Sequence, residues 1–139
     1  MRDCSDPNPQ VRALALRSMS YLQSPLVFDA LARPLNHAIH DKDASVRKTA
    51  VMCIAKMHMF DPALIETHGY VDVLKSMLLD ENVKVVSNAV VALYDIVERS
   101  EKIELRINLS IAEKLVSILG QCSEWGQTYI LEMLLFYVP

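Results

Sequence analysis

The sequence predicts an all-α protein built from stacked pairs of helices. Hydrophobic residues make up 52% of the chain but aromatic residues only 6%, so most of the apolar surface is aliphatic, as packed helices require. Only three glycines occur among the 139 residues, which leaves few positions for the tight turns of β-hairpins. A sequence pattern also recurs at spacings of 35 and 39 residues, a period typical of helix-pair arrays.

The recurring pattern is an aspartate followed five residues later by a valine, at the start of an apolar segment. The valines are Val11, Val46 and Val85, and a weaker fourth copy begins near Cys122. Each such unit buries its apolar face only against its neighbours. We therefore expect residues 1–139 to be a single solenoid segment of about 3.5 helix pairs, cut from a longer array.

Cap residues and apolar periodicity locate the individual helices in order. Ser24 before Pro25 is a typical helix start, because serine caps free N–H groups and proline suits the first turn. Asn82 and Ser123 are expected to cap later helices, and Gly69 to end a short one. The predicted helices cover about residues 8–22, 24–40, 43–59, 61–68, 70–79, 82–98, 110–120 and 123–137.

Three places in this scheme depend on particular local signals. Ser110 and Glu113 match a capping box, so the seventh helix is predicted to begin at Ser110. Pro34 lies inside the second helix and is expected to bend it. Residues 99–107 are predicted to form a loop or an additional turn.

The charged residues are unevenly distributed, although the formal net charge is only −3. Residues 1–60 contain 8 Lys and Arg against 5 Asp and Glu, whereas residues 61–139 contain 6 against 12. The acidic balance gives no reason to expect a nucleic-acid partner. Two interpretations of the basic half stay open: a solvated solenoid surface, or a basic patch for an acidic partner or an anionic membrane.

No catalytic, cofactor or metal motif is recognisable in the sequence. The three cysteines are far apart and form no C-x-x-C pair, so neither a zinc site nor a redox motif is indicated. His37 and His40 share a helix face but lack a third ligand at metal-binding spacing. Phosphate-binding loops and nucleophile elbows are also missing. We therefore expect a protein of a reducing compartment that is not an enzyme and binds no cofactor or metal.

The segment 31–47 resembles a HEAT repeat, because a proline in its first helix is followed by Asp41 and then by Val46 and Arg47. The resemblance implies an α–α superhelix of the HEAT or armadillo type. It also implies that aspartate and arginine side chains link adjacent repeats as a ladder. The predicted ladder residues are Asp6, Arg12, Asp41, Arg47 and Asp80. Val86 stands where the next arginine would be, so the ladder is expected to break there.

Four stretches contain specific residues beyond those that the general repeat requires. They are DPNPQVRALALRSM at 6–19, VRKTAVMCIAKMH at 46–58, VVSNAVVAL at 85–93 and CSEWGQTYILEML at 122–134. The most specific piece is Glu124, Trp125, Gly126 and Gln127, which the repeat itself does not require. Together these stretches resemble an early part of the trunk of the beta-adaptins, the large beta subunits of heterotetrameric adaptor complexes.

This resemblance implies a non-catalytic scaffold of a vesicle-coat adaptor complex in intracellular protein transport. The implied partners are the second large, the medium and the small adaptor chains, an Arf-family GTPase and, through the full complex, an anionic membrane. The implied location is cytoplasmic, on Golgi, endosomal or plasma-membrane coated vesicles. A HEAT scaffold of nuclear transport, of a phosphatase or of coatomer is the alternative.

Two further predictions concern single side chains. A weak attraction to the GTPase or an anionic membrane is expected from Arg17, Lys48 and Lys56. Arg12 and Arg47 are poorer candidates for this contact, because the resemblance implies that they belong to the ladder. Trp125, the only tryptophan, is predicted to be buried against the preceding helix near Leu115 or Leu119. Its replacement by alanine would then cost about 3–5 kcal/mol.

Overall fold

The computed structural model describes residues 7–20, 25–67, 69–99 and 107–135. Within these ranges the chain consists of α-helices and short turns, without a β-strand, so the predicted all-α fold class is confirmed. The helices are α1 (Pro9–Ser20), α2 (Pro25–Ile39), α3 (Ala44–Phe60), α4 (Pro62–Thr67), α5 (Tyr70–Met77), α6 (Val83–Arg99), α7 (Leu109–Ile118) and α8 (Glu124–Leu134), with a 3₁₀ turn at Leu119–Gln121. They belong to two compact units, residues 1–68 and 69–139. A single solenoid over residues 1–139 stays a prediction.

In the first unit, α3 is the central helix, and α1, α2 and α4 pack against it. Its Ala50, Val51 and Ile54 are fully buried. Leu16 of α1 and Leu35 of α2 are buried to the same degree. The helices α1 and α3 lie side by side.

In the second unit, α6 packs against α5 on one side and α8 on another, while α7 contacts α8. The buried residues of α8 are Gly126, Ile130 and Met133, whose spacing places them on one helix face. A β-carbon on Gly126 would lie 3.3 Å from Cβ of Cys122. The absence of a side chain at Gly126 therefore lets the start of α8 lie close to the preceding loop.

Short polar side chains open the helices in both units. Asp43 accepts from the backbone N–H of Ser45 at 2.8 Å, before α3. The predicted cap Ser24 lies outside the described residues. The other two predicted caps are confirmed, because Asn82 accepts from the N–H of Lys84 at 2.9 Å and Ser123 from that of Gly126 at 3.2 Å. These bonds satisfy N–H groups that have no partner inside the helix.

The predicted capping box at Ser110 is wrong, because Asn108 is the cap of α7. Asn108 has an extended backbone, with φ −91° and ψ 177°, and its side chain accepts from the N–H of Ile111. Ser110 already lies inside α7, and a residue with helical backbone does not occupy the cap position.

Other boundaries differ from the predictions by a few residues. The helix α8 ends at Leu134 rather than at 137, and residues 136–139 lie outside the described residues.

Gly69 follows α4 with a φ of +73°, a left-handed conformation that favours glycine. The helix α2 continues through Pro34. Of the predicted loop at 99–107, residues 100–106 lie outside the described ranges.

Candidate functional site

Asp41 connects α1 to the loop that precedes α3 in the first unit. Arg12 of α1 donates two hydrogen bonds to its carboxylate, from Nε to Oδ2 and from Nη2 to Oδ1, both at 2.9 Å. The backbone N–H of Asp43 donates to Oδ1 at 2.8 Å. Nη1 of Arg47, in α3, donates to the backbone carbonyl of Asp41 at 2.8 Å. The two arginines therefore meet at the loop that precedes α3, one on the Asp41 side chain and one on its backbone.

The Asp41 side chain is only 13% exposed, and that of Arg12 only 11%. Burial by itself would raise the pKa of Asp41. The hydrogen bonds from Arg12 and Asp43 and the positive charges of Arg12 and Lys42 oppose it, and the pKa is lowered below its ordinary value of 3.8. The carboxylate is therefore held in its charged form at neutral pH.

The other ladder positions have varied surroundings. Asp6 lies outside the described residues. Asp80 accepts from the backbone N–H of Asn82 at 2.9 Å, as Asp41 accepts from Asp43. Val86, which replaces arginine in this repeat, is fully buried.

Gln127 of the specific motif has the place in its repeat that Arg47 has in the earlier one. Its Nε2 donates to the backbone carbonyl of Cys122 at 3.1 Å. Both side chains thus connect the first turn of a helix to the loop before it. Glu124 is exposed in the first turn of α8, where a negative charge suits the helix dipole.

A groove with a volume of about 390 Å³ lies between α1 and α3 of the first unit. Its lining residues are Gln10, Ala13, Leu14, Arg17, Ser45, Lys48 and Thr49. Leu14 is 61% exposed, Arg17 is exposed and Lys48 is half-buried. The groove therefore combines two cationic side chains with the exposed apolar side chain of Leu14, and no acidic residue lines it.

The structure brings together two of the three basic residues singled out in the sequence. Arg17 and Lys48 line the groove, whereas Lys56 is half-buried further along α3 and is not among the lining residues. Leu14 and Gln10 were not predicted from the sequence. The sequence shows that Leu14 and Gln10 share a helix face with Arg17. It does not show which faces of α1 and α3 pack together.

Trp125 is 62% exposed, so the prediction of a buried tryptophan is wrong. The adjacent Gly126 begins the buried face of α8, and one residue corresponds to a rotation of about 100° around a helix. Trp125 instead contacts Tyr129, with ring centroids 4.7 Å apart. Tyr129 contacts Tyr94 of α6 at 5.4 Å, edge to face. The tryptophan therefore belongs to a surface row of aromatic rings.

Within residues 7–20, 25–67, 69–99 and 107–135, no three His, Cys, Asp or Glu side chains are grouped as metal ligands. His37 and His40 are both exposed. In this same described part of the chain, every helix is too short or too polar to cross a membrane.

Comparisons with known proteins find similarity along nearly the whole chain. Residues 10–139 match the Cnd1 family model, described as non-SMC mitotic condensation complex subunit 1. The chain is 44% identical over 138 residues, 99% of its length, to AP-1 complex subunit beta of Dictyostelium discoideum. It is 41% identical over 140 residues to AP-1 complex subunit beta-1 of Homo sapiens and 40% identical over 139 residues to AP-2 complex subunit beta of Schizosaccharomyces pombe, in both cases over 100% of the chain. It spans 15% of each of these AP-1 relatives and 20% of the AP-2 relative.

Proposed function

This chain belongs to the Cnd1 family, and we propose that it is part of a beta-adaptin and serves as a scaffold segment of a vesicle-coat adaptor complex. The observation that carries the proposal is the identity of about two residues in five to beta subunits of AP-1 and AP-2 complexes, over essentially the whole chain. These relatives are named as subunits of complexes and not as enzymes. The segment accordingly acts by binding other proteins and without catalysis.

The proposed partners are the second large, the medium and the small chains of the same complex. The corresponding location is the cytoplasmic side of coated vesicles of the Golgi, the endosomes or the plasma membrane. The bidentate Arg12–Asp41 contact supports a scaffold role, because it fixes α1 against the loop before α3. Such rigidity reduces the entropy that a scaffold loses when its partners bind.

Co-expression tests this assignment. The full-length protein that contains this segment is produced together with a second large, a medium and a small adaptor chain. Size-exclusion chromatography and native mass spectrometry should then find the four chains in equal amounts in one particle. Elution of the protein alone, or its purification with a mitotic condensation complex instead, would refute the adaptor assignment.

We further propose that the basic groove supplies a weak electrostatic contact to an Arf-family GTPase or an anionic membrane. Arg17 and Lys48 line the same groove as the exposed Leu14. A cationic side chain near an anionic surface contributes about 1 kcal/mol, and salt screens it. The contribution of Lys56 should be smaller, because this side chain is not part of the groove.

Sedimentation with phosphatidylserine vesicles, and pull-down with a GTP-bound Arf-family GTPase, test this contact. The reversals Arg17→Glu and Lys48→Glu should together abolish salt-sensitive binding, and adding Lys56→Glu should change little more. Reversal of Lys75, Lys84 and Lys114 in the second unit changes the net charge as much as the triple variant and is the matched control. If the control variant loses as much binding as the groove variants, the binding depends on overall charge, and the proposed contact at the groove is rejected.

A further inference from the structure

A row of three aromatic rings crosses from α8 to α6 on the surface of the second unit. Trp125 meets Tyr129 with an interplanar angle of 68° and a centroid distance of 4.7 Å, and Tyr129 meets Tyr94 at 87° and 5.4 Å. The two tyrosines are half-buried, whereas the indole is 62% exposed. Since a tryptophan carries a large apolar area, this exposure leaves a substantial binding surface open.

A recess with a volume of about 90 Å³ lies beside the indole. Asn88 and Val91 of α6 line one side, and Gly126 and Trp125 of α8 line the other. Gly126 contributes only backbone atoms to this lining. The ring therefore stands at the edge of a depression, with Tyr129 holding its position, rather than packed into the core.

Two carboxylates flank the aromatic row. Glu98 follows Tyr94 by about one turn on α6, Glu132 follows Tyr129 by about one turn on α8, and both are exposed. Burial raises the pKa of Tyr94, and the negative charges of both glutamates and a hydrogen bond with Glu98 raise it further. Both carboxylates therefore make the electrostatic potential at Tyr94 more negative.

We propose that this acidic aromatic surface, formed by Tyr94, Glu98, Trp125, Tyr129 and Glu132, binds an arginine-containing segment of a partner protein. A guanidinium stacks on aromatic faces and also forms paired hydrogen bonds with carboxylates. A lysine ammonium is a compact, strongly hydrated charge that matches this combination less well. A purely apolar partner would remove solvent from the two carboxylates without providing a positive charge.

The inference rests on the side chains of α6 and α8 and is independent of the adaptor assignment. It also differs from the basic groove of the first unit, which occupies the equivalent place between α1 and α3 but has Arg17 and Lys48 on its lining. The basic groove therefore suits an anionic partner, and the acidic aromatic surface suits a cationic one.

The single tryptophan of the 139-residue chain lies inside the proposed surface, so its fluorescence reports binding directly. The probes are a peptide of alternating arginine and glycine and a peptide of alternating lysine and glycine with the same charge. The arginine peptide should change the Trp125 emission and bind about fivefold more tightly than the lysine peptide. Added salt should weaken both without removing this preference.

Variants of the chain assign the binding to the surface, with fluorescence anisotropy of a labelled arginine peptide as the measurement. Trp125→Ala, and the pair Glu98→Gln with Glu132→Gln, should each weaken binding by about fivefold or more. Trp125→Phe should retain part of the affinity. The matched control is Glu81→Gln with Glu113→Gln, two exposed carboxylates of the same unit outside the row, and it should leave the affinity unchanged.

The proposal fails if the arginine and lysine peptides bind equally, or if the control pair weakens binding as much as the Glu98 and Glu132 pair. It also fails if a neutral aliphatic peptide binds as well, or if the chain self-associates through Trp125 in sedimentation. Circular dichroism establishes that each variant is folded. The glutamine pair retains the shape of both side chains, so it decides the question even if Trp125→Ala unfolds the chain.

Discussion

Asp41 is the residue at which the polar contacts of the first unit converge. Its carboxylate binds the Arg12 guanidinium and the N–H of Asp43, while its carbonyl binds Arg47. The resemblance to HEAT repeats implied a link between aspartates and arginines of adjacent repeats. It did not predict that Arg47 would bind the backbone of the loop, because a carbonyl oxygen has no signature in the sequence.

Removing the charge of Asp41 should destabilise the chain. Asp41→Asn retains the shape of the side chain but weakens two charge-assisted hydrogen bonds and leaves the mostly buried Arg12 without its counter-charge. We expect a loss of about 1.5–3 kcal/mol in the free energy of unfolding, measured by urea denaturation. Glu113→Gln, on the exposed face of α7, is the control and should change stability by less than about 0.5 kcal/mol.

The same carboxylate should make stability depend on pH in the acid range. Because the pKa of Asp41 is lower in the folded chain than its ordinary value, the unfolded chain takes up the proton first as the pH falls. The stabilisation is fully present above about pH 5 and is lost as the pH falls through the folded pKa. The stability difference between the original chain and Asp41→Asn should therefore shrink towards about pH 3; a difference that is constant across this range would contradict the low pKa.

At the scale of helices, α8 shows what periodicity can and cannot predict. The cap at Ser123 was predictable because a serine stands directly before an apolar helical segment. The exposure of Trp125 was not predictable, since the large apolar area of an indole favours burial. Small Gly126 marks the buried face, together with Ile130 and Met133, and its role becomes visible only when the packing against the preceding loop is known.

Substitutions on α8 should reflect this orientation. Trp125→Ala removes edge-to-face contacts on an exposed side chain, so it should cost about 0.5–1.5 kcal/mol in stability. Ile130→Ala, at a fully buried position on the same helix, should cost about 2–5 kcal/mol. Urea denaturation of both variants tests the ranking; a larger loss for the tryptophan would restore the buried interpretation.

The helix α5 begins after Gly69, which has a left-handed backbone conformation. No atom would contact a β-carbon there, but the φ of +73° strains any residue that has one. Gly69→Ala should therefore destabilise the chain by about 1 kcal/mol. Gly120→Ala is the matched control, because its site is equally open and its φ is not positive.

Gly120→Ala should be neutral or stabilise the chain by up to about 1 kcal/mol, since alanine restricts the unfolded state. Thermal melts followed by circular dichroism compare the two variants. Equal changes in melting temperature for the two variants would show that the left-handed backbone at Gly69 does not determine the effect of the substitution.

At the scale of the whole molecule, the all-α class, the helix order and the family were all accessible from the sequence. Each follows from a pattern that repeats or extends over many residues, namely the Asp…Val spacing and the stretches similar to beta-adaptins. The two grooves were not accessible, because each forms where two helices distant in sequence pack together. The uneven charge of the two halves was the single signal that pointed to surfaces of different character.

The central claim, that this chain is a scaffold segment of an adaptor complex, is tested most directly by exchanging segments. This chain replaces the matching 138 residues, 44% identical, of AP-1 complex subunit beta in Dictyostelium discoideum. The matched control places a helical-repeat segment of a mitotic condensation complex subunit at the same position. The account predicts that the first chimera still purifies with the other AP-1 subunits and that the control does not. A folded first chimera that is excluded from the complex, or a control that assembles equally well, would contradict it.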